Sequence, residues 1–409
     1  MVHSLWSMVY GLFSRTANIT EFGSIFAHMT NAIISSKANR MAVAGFFFIA
    51  GLSFASWASR IPDIKLRLQL NDAALGGVLF ALPVGSMFSL PLAGWLVAKF
   101  GSKKIVTISL IGYPFVLLVI GVVATVWQLI ATLFIFGLFG NLCNISINTQ
   151  AVGVERLFNR SIMASFHGIW SLAGFTGAAI GTIIISFNIS PLLHFIWITG
   201  ISLVLMFSLA RFALEKDTIH TNQPIFAKPD GLLLRLGLIA FSCMVCEGTM
   251  FDWSGVYFQK IVAVPKEFTT LGYAAFMGTM AGGRFVGDKM VMHFGPKKVL
   301  QGSGIVISVG LLLAVVFPFI VSATLGFLLV GFGVSSVIPL VYSAAGKSKT
   351  LSPGLALAAV STIGFFGFLL GPPIIGFIAE ATSLRWSFSL IAFIGFGTTI
   401  LATLMKWEK

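Results

Sequence analysis

Thirteen acidic residues serve a chain of 409, and two of them, Glu247 and Asp252, stand inside the apolar stretch CEGTMFDWSG at 246–255. A charged carboxylate at the centre of a bilayer costs about 2.5–3.5 kcal/mol on insertion scales, so such a group faces water, pairs with a base or carries a proton. With Arg235 marking one end of its helix, Glu247 lies 12 residues in, about 18 Å at 1.5 Å per residue and close to mid-membrane. Asp252 lies about 25 Å in, toward the other end. Five residues turn a helix through about 140°, so the two acids do not share a narrow face, and one site holding both is not expected. Glu247 is read as a proton-coupling carboxyl, loading a proton on one side and releasing it on the other. The plainer reading is a carboxyl hydrogen-bonded into helix packing. Asp252 is read as capping or gating the outer mouth near Arg60, with substrate contact as the alternative.

Other polar residues share this apolar setting. GNLCNISINTQ places Asn141, Asn144 and Asn148 at i, i+3 and i+7, one face of a helix. Aligned amides suit the hydroxyls or carbonyls of a polar solute; the alternative is bonding between helices, worth about 0.6 kcal/mol each. Gln150 adds an amide on another face. His167, in SFHGIWS, is a candidate proton relay because imidazole ordinarily titrates near neutrality, or else a neutral ring bonded to a backbone carbonyl. Trp57 and Trp253 are placed to stack on a sugar ring from two sides, or to anchor at the membrane interface. Arg284 and Asp288, four residues apart, are expected to pair at an inner gate. Glu155, Arg156, Glu380 and Arg385 read as solvated loop residues. Cys243 and Cys246 form C-x-x-C, yet a helix in lipid brings no further ligands, and the reading is packing rather than metal or redox work.

The elements that hold these residues follow from composition. The chain is 57% hydrophobic and 10% charged, where a soluble domain is nearer a quarter charged. Apolar runs of about 20 residues, the length of a membrane-crossing helix, recur with centres near 50, 86, 113, 138, 174, 201, 244, 280, 308, 332, 367 and 395. Ten-residue alternating strands are missing, which excludes a β-barrel reading. The expected fold is therefore an all-α membrane protein of twelve transmembrane helices. The net charge of +13 does not point to nucleic acid. With both termini cytoplasmic, nineteen of the 26 basic residues fall in inner loops and tails and six in outer loops, the positive-inside pattern. Residues 1–40 form an extension of unknown role, whose LWSMVYGLF is too short to span.

The chain is also written twice. FGSKK at Phe100 is answered by FGPKK at Phe294, Gly137 by Gly331 and Gly177 by Gly371, each 194 residues on. Trp57 is answered by Trp253 at an offset of 196. Six spans per copy is an even number, so the copies enter from the same side and are parallel repeats about an axis along the membrane normal. The divisions read as an extension at 1–40, a six-helix bundle at 41–212 and a cytoplasmic linker at 213–231, overlapping the polar run 211–230. A second bundle at 232–405 and a cytoplasmic tail at 406–409 complete the chain. GPP at 371–373 and LAGFTGAAIG at 172–181 read as places where helices kink and approach closely.

Two parallel six-helix halves joined this way, with FG-x-KK loops after the second and eighth spans, resemble the major facilitator superfamily. GWLVAKFGSKK at 94–104 is similar to that family's signature loop and implies gating roles for Gly94, Gly101, Lys103 and Lys104, beside Arg60, Arg284 and Asp288. It departs from the family at Ala98, where the pattern carries an aspartate. Met292 holds the equivalent place in the second copy, with Asp288 one turn earlier to substitute. ASWASRIPDIK, FHGIWSLAGFTGA, CEGTMFDWSG and GFLLGPPIIGFIAE resemble a bacterial inner-membrane branch, the YbjJ-like proteins. The resemblance implies a monomeric inner-membrane transporter working by alternating access. The residues favour proton symport of a small polar solute, sugar-like or another metabolite. Proton-driven efflux of drug-like compounds is the alternative, and a receptor or enzyme without a transport cycle is a remote one. Neither H-E-x-x-H, a P-loop nor G-x-S-x-G occurs, and no cofactor or metal is implied.

Overall fold

The computed structural model describes residues 19–158, 162–215, 230–348, 350–351 and 353–405, with backbone alone at 19–35, 164, 288, 353–355 and 358. The segment LWSMVYGLF, most of the linker and the tail at 406–409 lie outside the described residues. Every regular element described is helical. In chain order these are α1 (Ile19–Arg67), α2 (Asp72–Leu79), α3 (Ala81–Phe100), α4 (Ser102–Val122), α5 (Val126–Phe158), α6 (Met163–Ser186) and α7 (Pro191–Ala210). After the linker come α8 (Gly231–Tyr257), α9 (Leu271–Val316), α10 (Ile320–Ser335), α11 (Val337–Ala345), α12 (Pro353–Ala381) and α13 (Leu384–Leu404). Eleven stretches among the described residues are long and apolar enough to cross a membrane, where the sequence leads one to expect twelve. The arm of α9 before its break at Gly295, which carries Arg284, is helical but is not one of the eleven.

The repeat is visible in the backbone. Gly101 sits at φ 83°, ψ 148° between α3 and α4, and Gly295 sits at φ 78°, ψ 157° between the two arms of α9. That region is open essentially to glycine alone, which is why FG-x-KK keeps its glycine in both copies. Packing repeats in the same register. A Cβ on Gly137 would lie 1.9 Å from the Leu82 carbonyl oxygen, and one on Gly331 would lie 2.1 Å from that of Phe276, both partners again 194 apart. The other pair has diverged: Gly177 meets the Ala55 methyl at 2.7 Å, while a Cβ on Gly371 would meet nothing within 4 Å.

Loops are fastened by polar side chains rather than left to water. Glu155, expected to be solvated, accepts hydrogen bonds from the Ile162 and Met163 N–H groups at 2.7 and 2.9 Å and so satisfies the first donors of α6. Gln150 ties the Gly101 turn to the start of the linker, donating to Ser102 Oγ at 2.6 Å and accepting from the Leu214 N–H at 2.8 Å. Lys103 pairs with Glu215 across the same seam. Asp230 caps α8 by accepting from the Leu233 N–H at 2.8 Å and takes a bond from the Thr350 hydroxyl at 2.6 Å. Those two bonds, the backbone one foremost, hold its carboxyl below the usual range.

Glycine substitutions separate strained turn from open surface. Gly101→Ala and Gly295→Ala each force an L residue into a glycine-only region and are expected to cost about 1–3 kcal/mol. Gly94→Ala, on an exposed helical position with nothing within 4 Å, is expected to gain about 0.5–1 kcal/mol. Thermal unfolding of the detergent-purified variants checks the opposite signs; a Gly101→Ala protein as stable as the parent contradicts the account.

Candidate functional site

A cavity of about 560 Å³ lies between the first and second halves of the chain. Its wall divides by chemistry. The first half contributes Asn144 and Asn148 from α5, His167 from α6 and the Tyr113 phenol from α4. The second contributes Glu247 and Asp252 from α8, Arg284 from α9 and Tyr342 from α11. Between these lie carbon surfaces centred on Phe251, whose ring packs edge-on against Phe54 at 5.3 Å and stacks with Phe368 at 6.2 Å.

Glu247 and Asp252 do line one cavity, against the expectation from their 140° separation. The wall of α8 is broad: Met244, Glu247, Gly248, Phe251 and Asp252 all face it, the i, i+3, i+4, i+7, i+8 stripe of a helix. The two acids sit at opposite edges of that stripe. Glu247 is 6% exposed, and its Oε1 accepts a long bond from the Cys243 thiol at 3.7 Å. Cys243 and Cys246 are buried and unlinked.

Arg284 is not confined to an inner gate. It reaches across from the second half to the first, donating to the His167 carbonyl oxygen at 3.2 Å and to the Ser171 hydroxyl, both on α6. Arg284 and Glu247 both line the cavity, although the described salt bridges include none between them. The side chain of Asp288, its expected partner, lies outside the described residues. His167 itself opens onto the cavity, with its ring edge-on to Phe47 at 5.2 Å.

The asparagine face is split. Asn148 Nδ2 donates to the Asn144 backbone oxygen at 2.8 Å and to its Oδ1 at 2.9 Å, and both side chains reach the cavity. Asn141 is buried at 5% exposure and is not part of the lining. Trp57 and Trp253 are likewise core residues, 1% and 0% exposed, and neither lines the cavity, so they cannot sandwich a ring there. Arg60 stays on its own half: it bonds Asp63 at 2.6 Å, His194 Nδ1 at 3.1 Å and the Ile189 carbonyl oxygen at 2.9 Å, and none of its described bonds reaches Asp252. Gly94 is exposed and Lys104 lines a different, peripheral cleft. The tyrosines were missed by the sequence reading. The signal for them was rarity, since the chain has five and two reach this cavity.

At the end of the molecule away from the Gly101 turn, the halves are bound tightly. Asp72, wholly buried at the start of α2, accepts from Lys65 Nζ of its own half and from Lys260 Nζ of the other, each at 2.6 Å. Glu380 on α12, expected to be solvated, accepts from Asn71 Nδ2 at 3.3 Å and from the Asp72 N–H at 3.0 Å. Arg385 donates to the Val315 carbonyl oxygen at 3.0 Å. Backbones touch beneath the charges: a Cβ on Gly76 would lie 2.7 Å from the Pro372 oxygen, and one on Gly376 would lie 2.6 Å from the Asp72 oxygen. Thr182 and Thr270 share a hydroxyl bond of 2.6 Å in a further crossing.

Comparison with known proteins adds the family. The model of the Major Facilitator Superfamily matches residues 41–351. An uncharacterised MFS-type transporter of Yersinia pestis is 33% identical over 348 residues, covering 85% of this chain and 91% of that one. The membrane protein MosC of Rhizobium meliloti is 31% identical over 364 residues, 88% of each chain. Among solved structures, a bacterial homologue of the lysosomal transporter Spinster, inward-facing and occupied, superposes with a TM-score of 0.71 at 14% identity, covering 89% of this chain and 95% of that one. A mutant of the nucleoside transporter NupG gives 0.68 at 15% identity, covering 89% and 98%. At such identities the structural likeness is one of fold.

The Asp72 contact is open to test. Asp72→Asn removes the counter-charge from Lys65, whose side chain is only 10% exposed, and is expected to cost about 3–5 kcal/mol, the usual effect of breaking one side of a buried pair. Lys260→Met should cost less, since that lysine is 51% exposed. Spin-label distances between α2 and α12 should lengthen in Asp72→Asn; an unchanged distance and an unchanged melting temperature together would show that the charges are incidental.

Proposed function

Because this chain belongs to the Major Facilitator Superfamily and is a multi-pass membrane transporter of small molecules, we propose that it is a secondary active transporter moving a small polar solute by alternating access, coupled to protons. In this reading twelve spans form two parallel six-helix bundles, 41–212 and 232–405, joined by a cytoplasmic linker at 213–231, with the 406–409 tail and the N-terminus on the cytoplasmic side of the inner membrane and one chain as the working unit. The observation that carries it is the single chamber with amides on one side and acids with a guanidinium on the other. The amides of Asn144 and Asn148 hold hydroxyls or carbonyls of the cargo, Asp252 accepts from it at the far edge, and Glu247 takes the proton, with His167 as relay.

Arg284 links proton and conformation. When Glu247 is charged, it draws the guanidinium toward α8. When Glu247 is neutral, the guanidinium rests on the His167 oxygen and the Ser171 hydroxyl, as it does here. A group with two alternative partners, one on each half, biases an equilibrium between two arrangements. The binding at the Asp72 end corresponds to a closed outer side, so the chamber communicates with the cytoplasm. The likeness to a Spinster homologue in its inward-facing form supports that conformation. The aromatic walls formed by Phe54, Trp170, Phe251 and Phe368 favour a second reading, efflux of drug-like compounds.

Uptake into proteoliposomes over a panel of metabolites, with and without an imposed pH gradient, tests the assignment. Glu247→Gln is expected to keep substrate exchange and to lose accumulation driven by the gradient; a Gln variant that still concentrates its cargo removes Glu247 from the coupling. Asn144→Ala and Asn148→Ala are each expected to weaken binding about 2- to 10-fold, the worth of one net hydrogen bond. Unchanged affinity in both would remove the polar wall and leave the efflux reading.

A further inference from the structure

Beside each FG-x-KK turn lies a cleft, well away from the central chamber. One, of about 370 Å³, is formed by α3, the start of α4 and α5; the other, of about 190 Å³, by the two arms of α9 and α10. Each of the seven residues lining the first has its counterpart, 194 positions on, in the lining of the second: Phe100 answers to Phe294, Lys104 to Lys298 and Ser109 to Ser303. A single lysine is the only charged group in each lining, and the rest is nearly all carbon. Phe100 and Phe294 stand at the rims 45% and 53% exposed, so both clefts open on the outer surface of the bundle. A Cβ on Gly302 would meet nothing within 4 Å, which marks fillable space.

Among the described residues the charge is uncommitted. Lys103 is taken by Glu215, whereas among the described residues neither Lys104 nor Lys298 has an acidic partner. A lysine at the mouth of an apolar slot, joined at the first cleft by Lys99 over the rim residue Phe100 at 5.3 Å, on the lysine-rich end of a membrane bundle, selects an amphiphile with a negative head. Free phosphate would leave the slot empty, and a neutral lipid would leave the lysine unused. Basic pockets between transmembrane helices on the positively charged side are where anionic headgroups settle, and buried methylenes add to the binding.

We propose that these two clefts are a pair of equivalent binding sites for an anionic phospholipid, the acyl chain in the slot and the headgroup phosphate on Lys104 in one and Lys298 in the other. The duplication that built the bundle built the site twice. Cargo and coupling ion play no part in it, so it stands or falls apart from the transport reading.

Native mass spectrometry of the full chain in detergent, titrated with phosphatidylglycerol or phosphatidylcholine, reads the sites directly. Two phosphatidylglycerol molecules are expected to stay bound under conditions that strip phosphatidylcholine. Lys104→Gln and Lys298→Gln should each weaken one site about five-fold, the worth of one lysine at an anionic surface, and the double variant should weaken both. Ile108→Trp and Gly302→Phe, which fill the slots and leave the lysines in place, should do the same, and inorganic phosphate should not compete. Full retention in the lysine double variant overturns the proposal, as does equal retention of phosphatidylcholine. Equal loss in Lys289→Gln, outside both clefts, or displacement by inorganic phosphate would reduce it to charge attraction alone and overturn it as well.

Discussion

A carboxylate withdrawn from water without a partner costs several kcal/mol, and a chain that spends most of its length in lipid can place few of them. The acids within the bundle show three ways of meeting that cost. Asp72 is wholly buried and is met by two lysines, one from each half. Asp63 is met by Arg60 at 2.6 Å. Glu247 and Asp252 have no ion pair among those described and instead border the cavity. Pairing holds the two halves together while the unpaired acids border the cavity, so the placement of a few acids divides the molecule into clamp and chamber.

The same constraint explains why so much of the helix packing is done by glycine. Without water between them, helices gain from close backbone approach rather than from expelling solvent. The Gly137 and Gly331 contacts let α5 and α10 rest directly on the carbonyl oxygens of Leu82 and Phe276. Where approach is backbone to backbone, a side chain has no room to drift, and the repeat register survives. Gly371 is free of this restraint, and there the two copies have parted.

That difference sets what could be read from the sequence. The offset of 194 was legible because glycines under steric compulsion stay in place, and the number and length of apolar runs came close to the spans observed. Glu247, Asn144, Asn148 and His167 were legible as candidates for a cavity because polar groups in apolar runs have few other uses, whereas Asp252 reads first as an outer cap and not as sharing one site with Glu247. What failed was partnership. Glu380 bonds to residues 308 and 309 positions away, and Arg284 to residues more than a hundred positions away. Spacing along one helix cannot show these. Trp57, Trp253 and Asn141 were misplaced for a related reason: a residue type indicates what it can do, while the face it occupies is decided by the neighbouring helices.

The two kinds of contact between the halves differ in how they can be undone. At the Asp72 end, α2 and α12 meet through backbone atoms under a cluster of short charge-assisted bonds; such a contact is either made or broken, because a small separation loses close packing and ion pair together. Arg284, by contrast, crosses the gap on a long flexible side chain and can keep or change partners while the helices shift. In the proposed transport cycle, a bundle fastened rigidly at one end and tethered by a guanidinium beside its buried acid would have its clamp and its sensor in different places. On that reading, whatever changes the charge felt by the sensor would supply the energy to release the clamp.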